Sequence, residues 1–194
     1  MRILKSILIA LAVIFVIAGI GIYFLPNHYE VSKTIEINKP ASVVYSQIAD
    51  FSKWNGWDPW KEMDPSSVGK IEGDPGTIGH RMTWKGDKTG EGTMSIAYLQ
   101  TNSSVNLDME FLKPMRASAK SMWIIDEDKG VSKVTWSTRG GLKFPIGRLF
   151  GLTVDKILGG DQEHGLENLK KVCEAIPTPE PVASVVDTAE VIVQ

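Results

Sequence analysis

Cysteine is nearly missing from this sequence: Cys173 stands alone, so no internal disulfide can form. Histidine is scarce too. His28, His80 and His164 lie far apart, and no Cys/His cluster has zinc spacing. No metal site and no cofactor are therefore expected. Positive charge is not in excess either: the formal net charge is −2, which leaves no basic footprint for nucleic acid. The chain contains no G-x-S-x-G, no Walker loop and no H-E-x-x-H. Nucleophilic and phosphoryl chemistry thus lack a candidate, and no catalytic residue is assigned. There is no internal repeat.

What the chain does have is a long apolar opening. After Lys5 no charge occurs until Glu30. Ser6 to Leu25 is 20 residues, which as a helix at ~1.5 Å per residue spans a bilayer core of ~30 Å. Arg2 and Lys5 flank its start, and positive residues prefer the cytoplasmic side. The expected topology puts the N-terminus inside and the remainder outside, in the periplasm if the source is Gram-negative. Tyr23 falls near the outer interface, and Pro26 with Asn27 stops the helix. A cleaved signal peptide is the first rival. It needs an apolar region of ~7–15 residues and a small-x-small site. This run is longer and ends in bulky "IYFLP". A buried globular helix is the second rival. The reading adopted is an uncleaved transmembrane anchor over 1–26, contacting the membrane through 6–25. Without Arg2 and Lys5 the net charge of −2 becomes −4, which disfavours docking of the exported part on anionic lipid by charge.

The 43% hydrophobic and 23% charged composition suits one medium domain with a sizeable core. Alternation at Val31, Ile35 and Ile37 predicts a strand ended by Pro40. From Pro40, the positions Val43, Val44, Gln47, Ile48 and Phe51 follow helical spacing up to Gly56 and Pro59. A Pro/Gly/Asp-rich connection follows, with a short strand expected around Val68–Glu72.

Five alternating runs come next. Their apolar faces are Ile78/His80/Met82/Trp84, Met94/Ile96/Tyr98, Val105/Leu107/Met109/Phe111, Ala119/Ser121/Trp123/Ile125 and Val134/Trp136. Short polar turns imply antiparallel neighbours, and one apolar face implies a sheet covered on one side. Leu152 to Ile176 has mostly helical spacing and should form the cover, with Gly159, Gly160 and Gly165 weakening it or bending it. The Pro-rich stretch 177–194 reads as a disordered tail. The expected fold class is α+β: a curved antiparallel sheet wrapped around a long C-terminal helix over 27–176, preceded by one transmembrane helix.

Several motifs in this order carry a resemblance: "I-x-I-x-x-P" (Ile35, Ile37, Pro40), "DFSKWNGWDPW", "GTIG" before a Trp-bearing strand, "VSKVTW", and "GLENLKKVCE". Together they resemble the START-like (Bet v 1-like, SRPBCC) superfamily, most of all its bacterial polyketide cyclase/dehydrase-like group. The resemblance covers Val31 to Ile176 and implies a helix-grip fold with an apolar cavity between sheet and long helix. Members bind lipids, sterols, polyketides or other hydrophobic molecules, and a minority catalyse. The family has no fixed catalytic motif to carry over.

Candidate cavity-lining residues are Trp57, His80, Met82, Trp84, Met94, Met109, Trp123 and Trp136. Met is pliable and suits adaptable pockets, although such residues are also ordinary core. Among Trp54, Trp57 and Trp60, packing leads over a ligand mouth and over dipping into the bilayer; Trp57, in the loop beyond Gly56, is the one of the three best placed to touch a ligand. His80 shares parity with Met82 and Trp84 and could be the polar handle, but a satisfied or solvent-exposed histidine is the leading reading. Asp161, Glu163, His164 and Glu167 read as solvated helix charge.

Three functions compete. The first is a membrane-tethered, extracytoplasmic, non-enzymatic binder of a hydrophobic small molecule or lipid. The second is a cyclase/dehydratase- or hydrolase-like enzyme using polar groups such as His80 or Tyr98. The third is a protein-interaction module with a filled core.

Overall fold

The computed structural model describes residues 2–177; the expected tail, 177–194, lies almost wholly outside the described residues. The chain opens with helix α1, Arg2–Tyr23, whose described side chains are mostly exposed. It is long and apolar enough to cross a membrane, and its exposure removes the buried-helix reading. Strand β1, His28–Ile37, follows after four residues.

Helix α2 runs over Ala41–Ile48, with Pro40 as its N-cap, and buries Ala41, Val44, Gln47 and Ile48. The helical spacing predicted a longer element, reaching Phe51. The α-helix stops because the chain tightens into a 3-10 turn, Phe51–Gly56, capped by the Asp50 carboxylate on the Ser52 amide. The Trp54 indole N–H then caps the freed Ile48 carbonyl at 2.9 Å. Pro59 does not merely break structure. It opens a short helix α3, Pro59–Met63, capped by Asp58.

Strands β2 (Val68–Glu72), β3 (Arg81–Gly86), β4 (Gly90–Gln100), β5 (Ser104–Lys113), β6 (Ala117–Asp128) and β7 (Val131–Gly141) complete one antiparallel sheet. Its order is β1-β7-β6-β5-β4-β3-β2. The alternation places side chains as expected over most of this sheet: Val105, Leu107, Ala119, Trp123, Ile125, Val134 and Trp136 are all buried. Two positions depart from it. Ile78 is exposed because β3 begins only at Arg81, after a turn with Gly79 at φ +88°. Tyr98 is exposed because β4 changes register against β5 between Ile96 and Tyr98, turning the following side chain outward.

Helix α4, Ile146–Ala175, lies across the sheet and runs continuously through its glycines. Those glycines serve close approach. A Cβ on Gly165 would sit 3.0 Å from both Pro59 Cδ and Trp136 Cζ3, and one on Gly159 would sit 2.8 Å from Lys33 Cε. The helix tolerates the propensity cost, about 1 kcal/mol each, because it presses its backbone onto β1 and β7. One core unites Ile37, Ile48, Phe51, Trp123, Val134, Leu166, Leu169 and Cys173.

Candidate ligand pocket

Strand register shows where the interior is filled and where it is hollow. At one end of the sheet, Ile37 pairs with Ser132, and Ile125 lies opposite Val134. There α2 and the later turns of α4 fill the space with Ile48, Leu166, Leu169 and Cys173. The opposite end carries the row Tyr29, Gly140, Ala119, Met109, Met94 and Met82 across five strand pairings. A neighbouring row on the same face is Trp84, Gly92 and Phe111. Over this end α3 and the opening turns of α4 bridge the sheet without filling the space beneath, and a cavity of about 360 Å³ remains. That is within the usual size of small-molecule sites, ~300–1,000 Å³. The interior is therefore not filled solid.

The floor of the cavity is the sheet: Met82, Trp84, Met94, Leu107, Met109 and Phe111. Trp54, Trp60 and Met63 close one side, and Ile157, Leu158 and Asp161 of α4 close the other. Two loops form the rim, 64–67 and 87–89, and Asp64 joins them. Its buried carboxylate accepts from the Lys88 amide at 2.8 Å, the Thr89 amide at 3.2 Å and the Ser66 hydroxyl at 2.6 Å. These bonds, the Ser66 hydroxyl's first, hold its pKa far below the usual carboxylate range.

Polar groups on the wall are few. The Ser121 hydroxyl accepts from Trp136 Nε1 at 2.8 Å, and the Thr138 hydroxyl accepts from the buried Gln162 amide at 3.0 Å. Each hydroxyl keeps an O–H that can donate. Asp161 accepts from Trp60 Nε1 at 3.3 Å. Asp58 also lines the cavity and accepts from the Trp60 amide at 3.0 Å. Burial pushes Asp58 up to about 6, against the opposing pull of that amide. It is thus poised to present either a carboxylic acid or a carboxylate. Among the described residues no group of three or more His, Cys, Asp or Glu could hold a metal ion.

Of the eight candidate lining residues, Met82, Trp84, Met94, Met109 and Trp136 stand on the cavity wall. Trp57, Trp123 and His80 do not. Trp57 is 1% exposed, locked among Trp54, Trp123 and Trp136 at ring-centroid distances of 4.6, 5.7 and 6.4 Å. Trp123 stacks on Trp136 at 4.2 Å and lies beneath the wall rather than on it. His80 is buried in a bracket of its own. Its ring stacks on Phe51 at 4.7 Å, Nε2 accepts from the Phe51 amide at 3.2 Å, and Nδ1 meets the Gly73 carbonyl at 3.1 Å. Both nitrogens are used in fastening the 73–80 loop to the 3-10 turn, so His80 is no polar handle. Tyr98, the other polar group considered for catalysis, is solvent-exposed and off the wall.

Sequence reasoning missed Tyr29, Asp58, Phe111, Thr138 and Ile157 on the wall. The Asp58-Pro59 pair did carry a signal, since an N-cap Asp before an N1 Pro marks a helix start. Glu163 and His164 are surface partners: Glu163 receives Lys33 at 2.7 Å, and His164 meets Glu62 at 2.6 Å.

The profile of one family, described as polyketide cyclase / dehydrase and lipid transport, matches residues 28–174. The chain belongs to that family. Its matched region begins at β1 and ends in the last turn of α4, so α1 is outside it. Solved structures with the same fold include protein CV1439 from Chromobacterium violaceum (13% identity, TM-score 0.56), covering 78% of this chain and 100% of that one. Protein MLL2253 from Mesorhizobium loti is similar (12%, 0.57), covering 77% and 100%. So is the di-domain ARO/CYC StfQ from the steffimycin biosynthetic pathway (11%, 0.58), covering 76% and 51%. At these identities the likeness is one of fold. No curated protein matches the sequence.

Proposed function

We propose that this chain is a membrane-tethered, extracytoplasmic family member that holds an apolar small molecule or lipid in the cavity between sheet and α4. The observation that carries the reading is a hollow of about 360 Å³ whose floor is Met, Trp, Leu and Phe. Pliable thioethers and flat aromatic walls fit guests of irregular apolar shape. Ser121, Thr138 and Asp58 supply a small polar end for orientation. Met82, Trp84, Met94, Met109 and Trp136 would contact the guest.

Helix α1 supports the tether. Its 22 residues match a bilayer, and its only charges, Arg2 and Lys5, sit at the start. That charge bias favours an inside N-terminus and a domain outside. Tethering raises the effective concentration of the domain at the bilayer.

The test is mass spectrometry of apolar molecules released from a 27–194 fragment purified without detergent. The family match spans residues 28–174, so the fragment contains the whole matched domain. A stoichiometric apolar compound supports the reading. A fragment that folds, carries nothing and takes up no alkyl or polycyclic probe refutes it.

A further inference from the structure

The first three turns of α4 carry a second apolar stripe, largely exposed, that lies outside the buried core. Ile146, Leu149, Phe150 and Ile157 recur at i, i+3, i+4 and i+11. At about 100° per residue they share an arc of about 100°, turned away from the core side marked by Val154 and Leu158. Ile146, Leu149, Phe150 and Ile157 are 64%, 44%, 47% and 53% exposed. Phe144 just before the helix and Leu152 beside the stripe are exposed as well.

This stripe begins where α1 ends. The Arg148 guanidinium donates to the Tyr23 carbonyl and lies 5.3 Å from the Tyr23 ring and 5.9 Å from the Phe144 ring. That bond satisfies an orphan carbonyl at the α1 C-terminus, where a cation is also favoured. Only residues 24–27 separate α1 from β1, a link of at most about 17 Å. A bilayer that holds α1 must therefore lie beside the opening turns of α4. Lys143, Arg148 and Lys156 outnumber Asp155 around the stripe, so this edge is locally basic although the domain as a whole is acidic. Apolar and aromatic side chains flanked by Lys and Arg are the composition of an interfacial helix.

Resting on the tethered-binder reading, we propose that residues 144–157 seat in the outer bilayer interface, so that the pocket opens onto lipid and draws its guest from the membrane. The seat and the pocket share a residue: Ile157 belongs to the stripe and to the cavity wall. Tyr29, one residue into β1 from the α1 link, is on the wall too. The hollow half of the sheet is the half that adjoins the anchor. The expected guest is an apolar molecule or single-chain amphiphile dissolved in the outer leaflet.

The full chain, with Cys173→Ala, is placed in phosphatidylcholine nanodiscs and labelled with an environment-sensitive fluorophore at Ile146→Cys or Phe150→Cys. Ile14→Cys reports on the anchor and Thr34→Cys on the exposed edge of β1. The seat predicts that labels at 146 and 150 are quenched by spin-labelled lipid and about fivefold less by iodide than the label at 34. If 146 and 150 are as open to iodide as 34 while 14 is lipid-quenched, the tether stands and the seat is wrong. If 14 is itself open to iodide, the tether fails and the seat fails with it. Labels shielded from both quenchers, with chains cross-linking through position 150, would identify a second copy as the occupant and overturn the proposal. As a second measure, Leu149→Glu with Phe150→Glu slows uptake of a fluorescent alkyl probe from vesicles by about tenfold, while uptake of the same probe from water is unchanged. Equal slowing by both routes would overturn membrane entry.

Discussion

Replacing Gly92 by alanine tests how tightly the pocket floor is built. The new Cβ would lie 2.2 Å from Trp84 Cζ2, 2.5 Å from Trp84 Cη2 and 2.7 Å from the Glu110 carbonyl oxygen. Ordinary carbon contacts need about 3.5 Å, so the indole must retreat by about 1.3 Å. It cannot do so freely. Its ring packs edge-on with Phe111, centroids 5.8 Å apart, and its N–H points to the Thr89 carbonyl at 3.4 Å. On the other side the Glu110 oxygen is backbone and cannot swing away. Overpacking of this kind costs about 1–3 kcal/mol. For a chain of this size, 2 kcal/mol lowers the melting midpoint by about 4–8 °C. Thermal melts of the 27–194 fragment, followed by near-ultraviolet circular dichroism, read this directly. The second arm is a double-mutant cycle with Trp84→Leu, which removes the two crowded ring atoms. A coupling of about 1–2 kcal/mol between the sites is expected, with some cost left by the Glu110 oxygen. A Gly92→Ala variant with the parent's midpoint and aromatic spectrum, or a cycle with no coupling, would refute the geometry of this wall.

Three further outcomes follow from the same structure. Met109→Glu puts a carboxylate on the pocket floor; a fragment that stays folded should bind an alkyl probe at least about tenfold more weakly, because an unpaired charge resists dry surroundings, and undiminished binding in a titration would contradict the assignment. Asp58, raised by burial from the usual 3.8 to about 6, is protonated in the folded chain across a range where the unfolded chain has lost the proton. Its effect on stability therefore worsens as pH rises from about 4 to about 6 and stays at its worst above that, by about 2–3 kcal/mol. Asp58→Asn keeps an N-cap for α3, so denaturation at pH 7.5 should show a gain that vanishes at pH 4; equal effects at both values would remove the buried-acid account. Finally, burial pushes the Cys173 thiol up to about 12, so a thiol reagent at pH 8 should label it only after the chain unfolds, and prompt labelling of native protein would show that the α4 packing is wrong.

The strand pattern was readable because one face of the sheet meets the core and the other meets solvent, and a period of two marks that difference directly. It failed where the backbone interrupts the period. At Tyr98 a register shift reverses the parity, and before Arg81 a glycine turn separates Ile78 from the strand. The side of the sheet that holds the Met and Trp residues was legible, but not which half of it stays hollow. That depends on where α2 and α4 end against the strands, a pairing that no local window contains. Trp57 shows the same limit. Its place beyond Gly56 suggested a loop tip, yet a tilted approach to Trp54 and an edge-on approach to Trp123 pull it wholly inside. Asp58 and Thr138 were passed over because a polar residue on a pocket wall is spelled like one on a surface. The α4 glycines were read as weaknesses of a helix, whereas Gly165 is the point where helix, Pro59 and Trp136 meet.

The most direct measurement uses methionine methyl groups as reporters. Met82, Met94 and Met109 stand in the pocket, Met63 at its edge, and Met115 and Met122 outside it. The 27–194 fragment, labelled with 13C at the methionine methyls, is titrated with decanol and followed by NMR. The account predicts saturable shifts at Met82, Met94 and Met109 along one binding curve, with Met115 and Met122 still. Shifts confined to Met115 and Met122, or none that saturate, would contradict it.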